Sequence, residues 1–350
     1  MKRFSPLSTA LGNLLLSTAL GNLLSVALLA GVPAVNAAAA TAEGDGNARY
    51  YHNPVITYDT PDPTIIKEGN TFYLFATERN RETPVWTSTN LVDWTLRPSG
   101  AFAKRPSFVE KGGVWAPDVN KIGNRYVLYY AMSQWGGEWS CGIGVAVADR
   151  PEGPYTDLGK LFISSEIGVQ NCIDPFFISD KGHNFLFWGS FHGIYGTELT
   201  ADGLQLKDKS NLTKVADNFM EATYIRKRDG YYYLFGSNGS CCEGDKSTYR
   251  VVVGRSRYLM GPYVDKHGGP LLQGHYEVVL HGNKKFVGPG HNAEIVTDDA
   301  GQDWLLYHSY VRHHSDEGRQ LLLDPINWKN GWPVISRHSP SVTHKVPQFK

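Results

Sequence analysis

FYLFAT at residues 72–77 is an aromatic run that returns as YVLYYA (126–131), FLFWGS (185–190), YYLFGS (232–237) and WLLYHS (304–309). With Phe75, Tyr130, Trp188, Phe235 and Tyr307 taken as equivalent, the spacings are 55, 58, 47 and 72 residues. Aromatic and β-branched residues suit a pleated, half-buried surface. Segments such as YRVVVGRS and CGIGVAVA add strand-like alternation, with little helical period between them. A unit of several short strands recurring at this period predicts a radial array of four-stranded blades. Five units give an all-β, five-bladed β-propeller with a central pocket. Two stacked sandwich domains would leave the regular spacing unexplained.

The repeat gives meaning to a second pattern. Ahead of the first four reference aromatics stands an acid in an apolar setting: Asp62 in PDPTI, Asp118 in WAPDV, Asp174 in CIDPFF and Glu221 in MEATY. The fifth unit, GPGHNAEI, supplies His291 and Glu294. A carboxylate in an apolar run is costly to bury unless it is paired, and Asp-Pro by itself reads as a turn. Equivalent positions in successive blades lie at similar radius, so acids in one phase converge on the axis, whereas unrelated turns need share no phase. Several carboxylates around one aqueous pocket suit either metal binding or glycosidic cleavage. In an inverting glycosidase one carboxylate activates water while a protonated acid, roughly 6.5–9.5 Å away, protonates the departing oxygen. A third acid can keep the proton donor protonated by like-charge repulsion.

Composition narrows the alternatives. Lys+Arg and Asp+Glu both number 34, which leaves no basic footprint for nucleic acid. There is no G-x-S-x-G elbow and no phosphate-binding glycine loop. Residues 1–37 read as a signal peptide: Lys2 and Arg3 precede apolar stretches, VNA at 35–37 offers a cleavage site, and STALGNLL at 8–15 is repeated at 17–24. A retained membrane anchor is the alternative. The organisation expected is a signal peptide (1–37), a linker (38–53) and a propeller (54–350) that is secreted or periplasmic, monomeric and free of the membrane after cleavage. Cys241 and Cys242 could bridge to each other and leave Cys141 to Cys172; four buried thiols are the other reading.

PDPTI, VWAPDV, NCIDPFF, MEATY, the SCCEG–STYRVVVGRS segment and GPGHN together resemble glycoside hydrolase family 43, above all its arabinan-cleaving members, over about residues 54–335. The resemblance implies a five-bladed propeller that hydrolyses arabinan with inversion. It makes Asp62 the general base, Asp174 the orienting and pKa-raising acid, and Glu221 the general acid. It also implies that His291 binds a central calcium or sodium ion, largely through water, although calcium prefers oxygen ligands. The endo-acting members commonly carry His before the base, whereas this chain has Pro61; Pro-Asp-Pro looks more like the exo-acting arabinofuranosidase and xylosidase branches. Trp115, Asn171, Phe191 and His192 are candidate sugar contacts. Trp135 and Trp139 flank the turn WGGEW, either at the rim or packed beneath the loop, and Trp94 reads as structural. The rival readings are a non-catalytic sugar-binding propeller and a structural interaction propeller.

Overall fold

A computed structural model describes residues 49–350; the expected signal peptide lies outside the described residues. Four sheets have four antiparallel strands each and a fifth has five, giving five blades in chain order. The innermost strands are Thr64–Glu68, Gly113–Ile122, Phe176–Asp180, Met220–Arg228 and Phe286–Gly290. Every aromatic run of the repeat lies on or at the end of the second strand of its blade: Thr71–Phe75, Arg125–Ser133, His183–Trp188, Tyr231–Asn238 and Asp303–Val311. The 72-residue spacing has a local cause. In blade four the third strand ends at Ser256 and the fourth begins at Glu277, with a long excursion between.

The aromatic period follows from where the core sits. A blade presents both faces to its neighbours, so apolar side chains pack between blades. Phe75 meets Tyr155 edge-on at 5.9 Å between blades one and two. Tyr129 stacks on Phe177 at 5.7 Å between two and three, and Phe176 meets Tyr224 at 5.4 Å between three and four. Tyr233 contacts Trp328 at 4.8 Å between four and five. Such aromatic pairs stabilise beyond the area they bury. Trp94 is buried and donates Nε1–H to the Leu91 carbonyl (2.9 Å), the structural role expected of it.

Closure of the ring uses residues expected in the linker. Tyr50–His52 is a strand paired with Thr343–Lys345. Beyond it the chain runs along blade five, where Val55 N–H donates to Leu321 O (2.8 Å) and Leu321 N–H donates to Ile56 O (3.1 Å). Asn53 is buried; its Nδ2 donates to Leu323 O (2.8 Å) and its Oδ1 accepts Leu323 N–H (2.9 Å). No helix among the described residues is long and apolar enough to cross a membrane.

In or within two residues of each innermost strand stands a non-glycine residue with positive φ: Asp62 (57°), Ala116 (40°), Asp174 (57°), Ala222 (59°) and His291 (43°). Non-glycine residues rarely adopt this conformation, and it clusters at functional sites. Four of the kinked N–H groups are held by a side chain of the preceding blade. Asp62 N–H donates to His308 Nδ1 (3.1 Å), Ala116 N–H to Thr77 Oγ1 (2.8 Å), Ala222 N–H to Asp174 Oδ2 (3.0 Å) and His291 N–H to Ser237 Oγ (2.8 Å). The kinks thus belong to a ring of inter-blade bonds around the axis.

Candidate active site

Asp62, Asp174 and Glu221 are all buried and line one cavity of about 320 Å³ at the propeller axis. Trp115, Asn171, Phe191, His291 and Arg319 line it too. His192 does not; its Nε2 lies 3.2 Å from Glu138 Oε2, and Glu138 is the residue that reaches the cavity.

The three carboxyls differ in environment. Asp62 Oδ2 accepts the Thr77 hydroxyl (2.6 Å), while Oδ1 lies 3.0 Å from Arg319 Nη1, 3.2 Å from His291 Nδ1 and 3.3 Å from His308 Nδ1. Burial alone would raise its pKa, but the Arg319 guanidinium and then His291 hold it well below the usual carboxylate range. His308 is fully buried, and desolvation lowers it to about 4. It is therefore neutral at pH 7, and because Nδ1 accepts the Asp62 N–H, its proton sits on Nε2. Asp174 has no cation in hydrogen-bond contact. Burial, opposed by His291 and reinforced by Glu221 and Asp62, pushes it up to about 7. Glu221 accepts the hydroxyls of Ser190 (Oε2, 2.6 Å) and Tyr249 (Oε1, 2.7 Å). Those bonds favour its ionised form, yet burial still holds it above its ordinary value.

Asp118 is not in this pocket. The strand bulges between Trp115 and Asp118, so the kinked residue of blade two is Ala116, and Asp118 turns toward blade three. Its Oδ2 accepts the Phe177 N–H (2.7 Å) and Asn120 Nδ2–H (2.7 Å). Burial, then the neighbouring Glu294, raises it well above the usual range. Glu294 in turn accepts the Ile65 N–H (2.7 Å). These two acids tie blades two, three, five and one together and take no part in the cavity.

The expected calcium or sodium ion at His291 is not supported. Among the described residues no three His, Cys, Asp or Glu side chains group as ligands, and the only contact of the His291 ring with a carboxylate is its pairing with Asp62. Burial lowers the pKa of His291, but the neighbouring acids, Asp174 and Asp62 foremost, raise it above its ordinary value. The cysteines resolve as one bridge and two thiols. Cys241–Cys242 is a disulfide on the cavity wall. Cys141 and Cys172 are buried and free, held through Ser164, whose Oγ lies 3.3 Å from Cys141 Sγ and accepts the Cys172 N–H (3.0 Å).

Three buried acids with divergent proton affinities thus share one cavity, and comparisons with known proteins show which family carries it. Residues 51–333 match the family described as glycosyl hydrolases family 43. The chain belongs to this family. It is 34% identical over 291 residues to the extracellular endo-α-(1→5)-L-arabinanase 1 of Bacillus subtilis, covering 78% of this chain and 86% of that protein. It is 31% identical over 306 residues to the extracellular exo-α-(1→5)-L-arabinofuranosidase ArbA of Cellvibrio japonicus, covering 79% and 86%. The solved structure of Cellvibrio cellulosa α-L-arabinanase with arabinohexaose aligns with a TM-score of 0.72 at 31% identity, covering 80% of this chain and 96% of that one. This family 43 chain is a glycosyl hydrolase with a five-bladed propeller fold.

Sequence reasoning missed Arg319, His308, Tyr249, Ser190 and Thr77 as members of the site. Thr77, Ser190 and Ser237 all stand two residues after a reference aromatic, in FAT, WGS and FGS, so their shared phase was a readable signal. Arg319 and Tyr249 carry no such mark.

Proposed function

We propose that this enzyme is exported and cleaves α-1,5-linked L-arabinan or arabino-oligosaccharides with inversion, Asp62 serving as general base and Glu221 as general acid. The observation that carries this reading is the split in proton affinity within one cavity: Asp62 is held ionised while Asp174 and Glu221 are held toward protonation. Water entering beside Asp62 gives up a proton as its oxygen attacks the anomeric carbon. Glu221 delivers its proton to the glycosidic oxygen, and the C–O bond breaks with the alcohol departing. Asp174 acts chiefly by orientation. Its Oδ2 holds the N–H of Ala222, which fixes the kink beside Glu221. With its own pKa near 7 it carries only part of a charge at neutral pH, so burial does most of the work of raising Glu221.

The arabinan assignment draws on the named relatives, and their extracellular description supports export. Trp115, Asn171 and Phe191 are positioned to contact the sugar. Cleavage from chain ends is the second reading, favoured by Pro61 and by the exo-acting relative.

Rates of Glu221→Gln and Asp62→Asn on debranched arabinan and on an aryl arabinofuranoside test the roles. Glu221→Gln should lose roughly 10²–10⁴-fold on the polymer and retain much of the rate on the aryl substrate, whose phenol departs unaided. Asp62→Asn should lose both. Equal losses for Glu221→Gln on the two substrates would assign the wrong acid, and a product of retained configuration would exclude inversion.

A further inference from the structure

Blades four and five meet at a surface pocket of about 590 Å³ that the proposed chemistry does not use. Its lining includes four basic side chains, Arg250, His281, Lys284 and Arg312, and no Asp or Glu. In a chain whose Lys+Arg and Asp+Glu balance at 34 each, this is a local concentration of one sign.

The fold holds these groups in place without neutralising them. Arg250 opens the third strand of blade four and pairs in register with His281 at the end of the fourth. Asn283 fixes the turn that follows: its Oδ1 accepts the N–H groups of Lys285 and Phe286 (2.8 Å each), and its Nδ2 donates to Ser339 Oγ (2.8 Å). Arg312 reaches this turn from blade five, donating from Nε to Lys284 O (3.1 Å) and from Nη2 to Asn283 O (3.2 Å). Arg250 Nη2 donates to Asn238 Oδ1 and to Tyr276 Oη (2.8 Å each). All of these acceptors are uncharged. Asp245 and Glu277, the acids of the adjoining segments, pair with His313 and Lys266 instead. A guanidinium oriented by neutral acceptors keeps its charge for a ligand, and its planar fork suits an oxyanion.

The size of the pocket narrows the anion. It exceeds the acid cavity of about 320 Å³, so it has room for a sugar unit as well as a charged group. In a glycosyl hydrolase, the anion that comes with a sugar ring is a carboxylate. Tyr249 lines the pocket and donates its hydroxyl to Glu221 Oε1 (2.7 Å), so the two sites stand one side chain apart while sharing no lining residue. We propose that this pocket binds the carboxylate of a uronic acid, giving the enzyme a hold on acidic polysaccharide apart from the bond it cleaves.

Calorimetric titration of the enzyme with trigalacturonate, and separately with inorganic phosphate, tests this. Trigalacturonate should bind, with an affinity that falls as salt is added. Arg312→Gln should weaken it about tenfold. Lys284→Glu, at an exposed side chain, should weaken it at least as much with an unchanged melting temperature, which separates loss of charge from loss of fold. No binding of trigalacturonate at low salt, or binding that both variants leave unchanged, would overturn the inference. Phosphate binding as tightly as trigalacturonate would overturn the assignment to a uronate. The titrations need no turnover, so their failure and the failure of the arabinan reading are independent.

Discussion

Asp62 owes its character to its neighbours. Desolvation works to protonate it, and the Arg319 guanidinium 3.0 Å away is the principal opposing influence. A base whose folded pKa is depressed is active down to low pH, and the acid limb of the rate profile reports that pKa. Arg319→Gln should therefore move the acid limb of kcat/KM upward by about 1–3 pH units. On the proposed roles, the alkaline limb would be set by the buried Glu221 and should stay in place. A pH profile from 3 to 9 decides it, and an unmoved acid limb would remove Arg319 from the account. In the sequence Asp62 announced itself through its apolar setting and its phase. Arg319, 257 positions away, could not, because its role depends on where blade five meets blade one.

The innermost strands do two jobs, bringing acids to the cavity at one end and joining blades beneath. Counting residues placed Asp118 with the catalytic acids because it falls in the right window, but the bulge in Gly113–Ile122 gives the kink to Ala116. One inserted residue reverses which side a strand presents, and nothing in WAPDV marks the bulge. Asp118 and Glu294 instead face each other in the core, and two carboxyls in contact hold one proton between them. Asp118 has its folded pKa raised well above the ordinary value. Its stabilising contribution is therefore complete below the unfolded pKa, near 4, and is lost as pH rises through the folded pKa. Asp118→Asn keeps one acceptor oxygen and cannot ionise. Its melting temperature relative to wild type should rise as pH increases above about 4, and a difference independent of pH would show that no proton is shared.

The ring as a whole is closed by the chain's first described residues lying on its last blade. Asn53 bridges both backbone groups of Leu323 and adds a bond from Nδ2 to Ser341 O (3.1 Å). Truncation would leave buried polar groups unpaired, at about 1–3 kcal/mol each. Asn53→Ala should lower the stability to denaturant by about 2–4 kcal/mol with little change in KM, because the acid cavity lies on other residues. Deleting residues 38–53 should destabilise more strongly, which a passive linker would not do. Within the segment expected as a linker, the strand Tyr50–His52 escapes a reading of the sequence because three residues, YYH, are too short to show alternation. Their strand exists only because a partner strand 291 positions later in the chain lies alongside.

The order of residues carried the number of blades and the phase of the inward-facing positions, with Asp118 wrongly counted among them. These repeat locally, and apolar periodicity is a short-range consequence of packing each blade between two others. Tertiary structure alone decided what distinguishes the acids from one another. Whether a carboxyl meets Arg319, a pair of hydroxyls or another carboxyl depends on contacts between blades far apart in the chain, and proton affinity follows those contacts. It also decided that His291 pairs with Asp62, that Cys241 and Cys242 bridge while Cys141 and Cys172 do not, that Trp135 and Trp139 are exposed, and that Arg250, His281 and Arg312 line one pocket. Distance in space, which the order of residues does not encode position by position, is the physical reason.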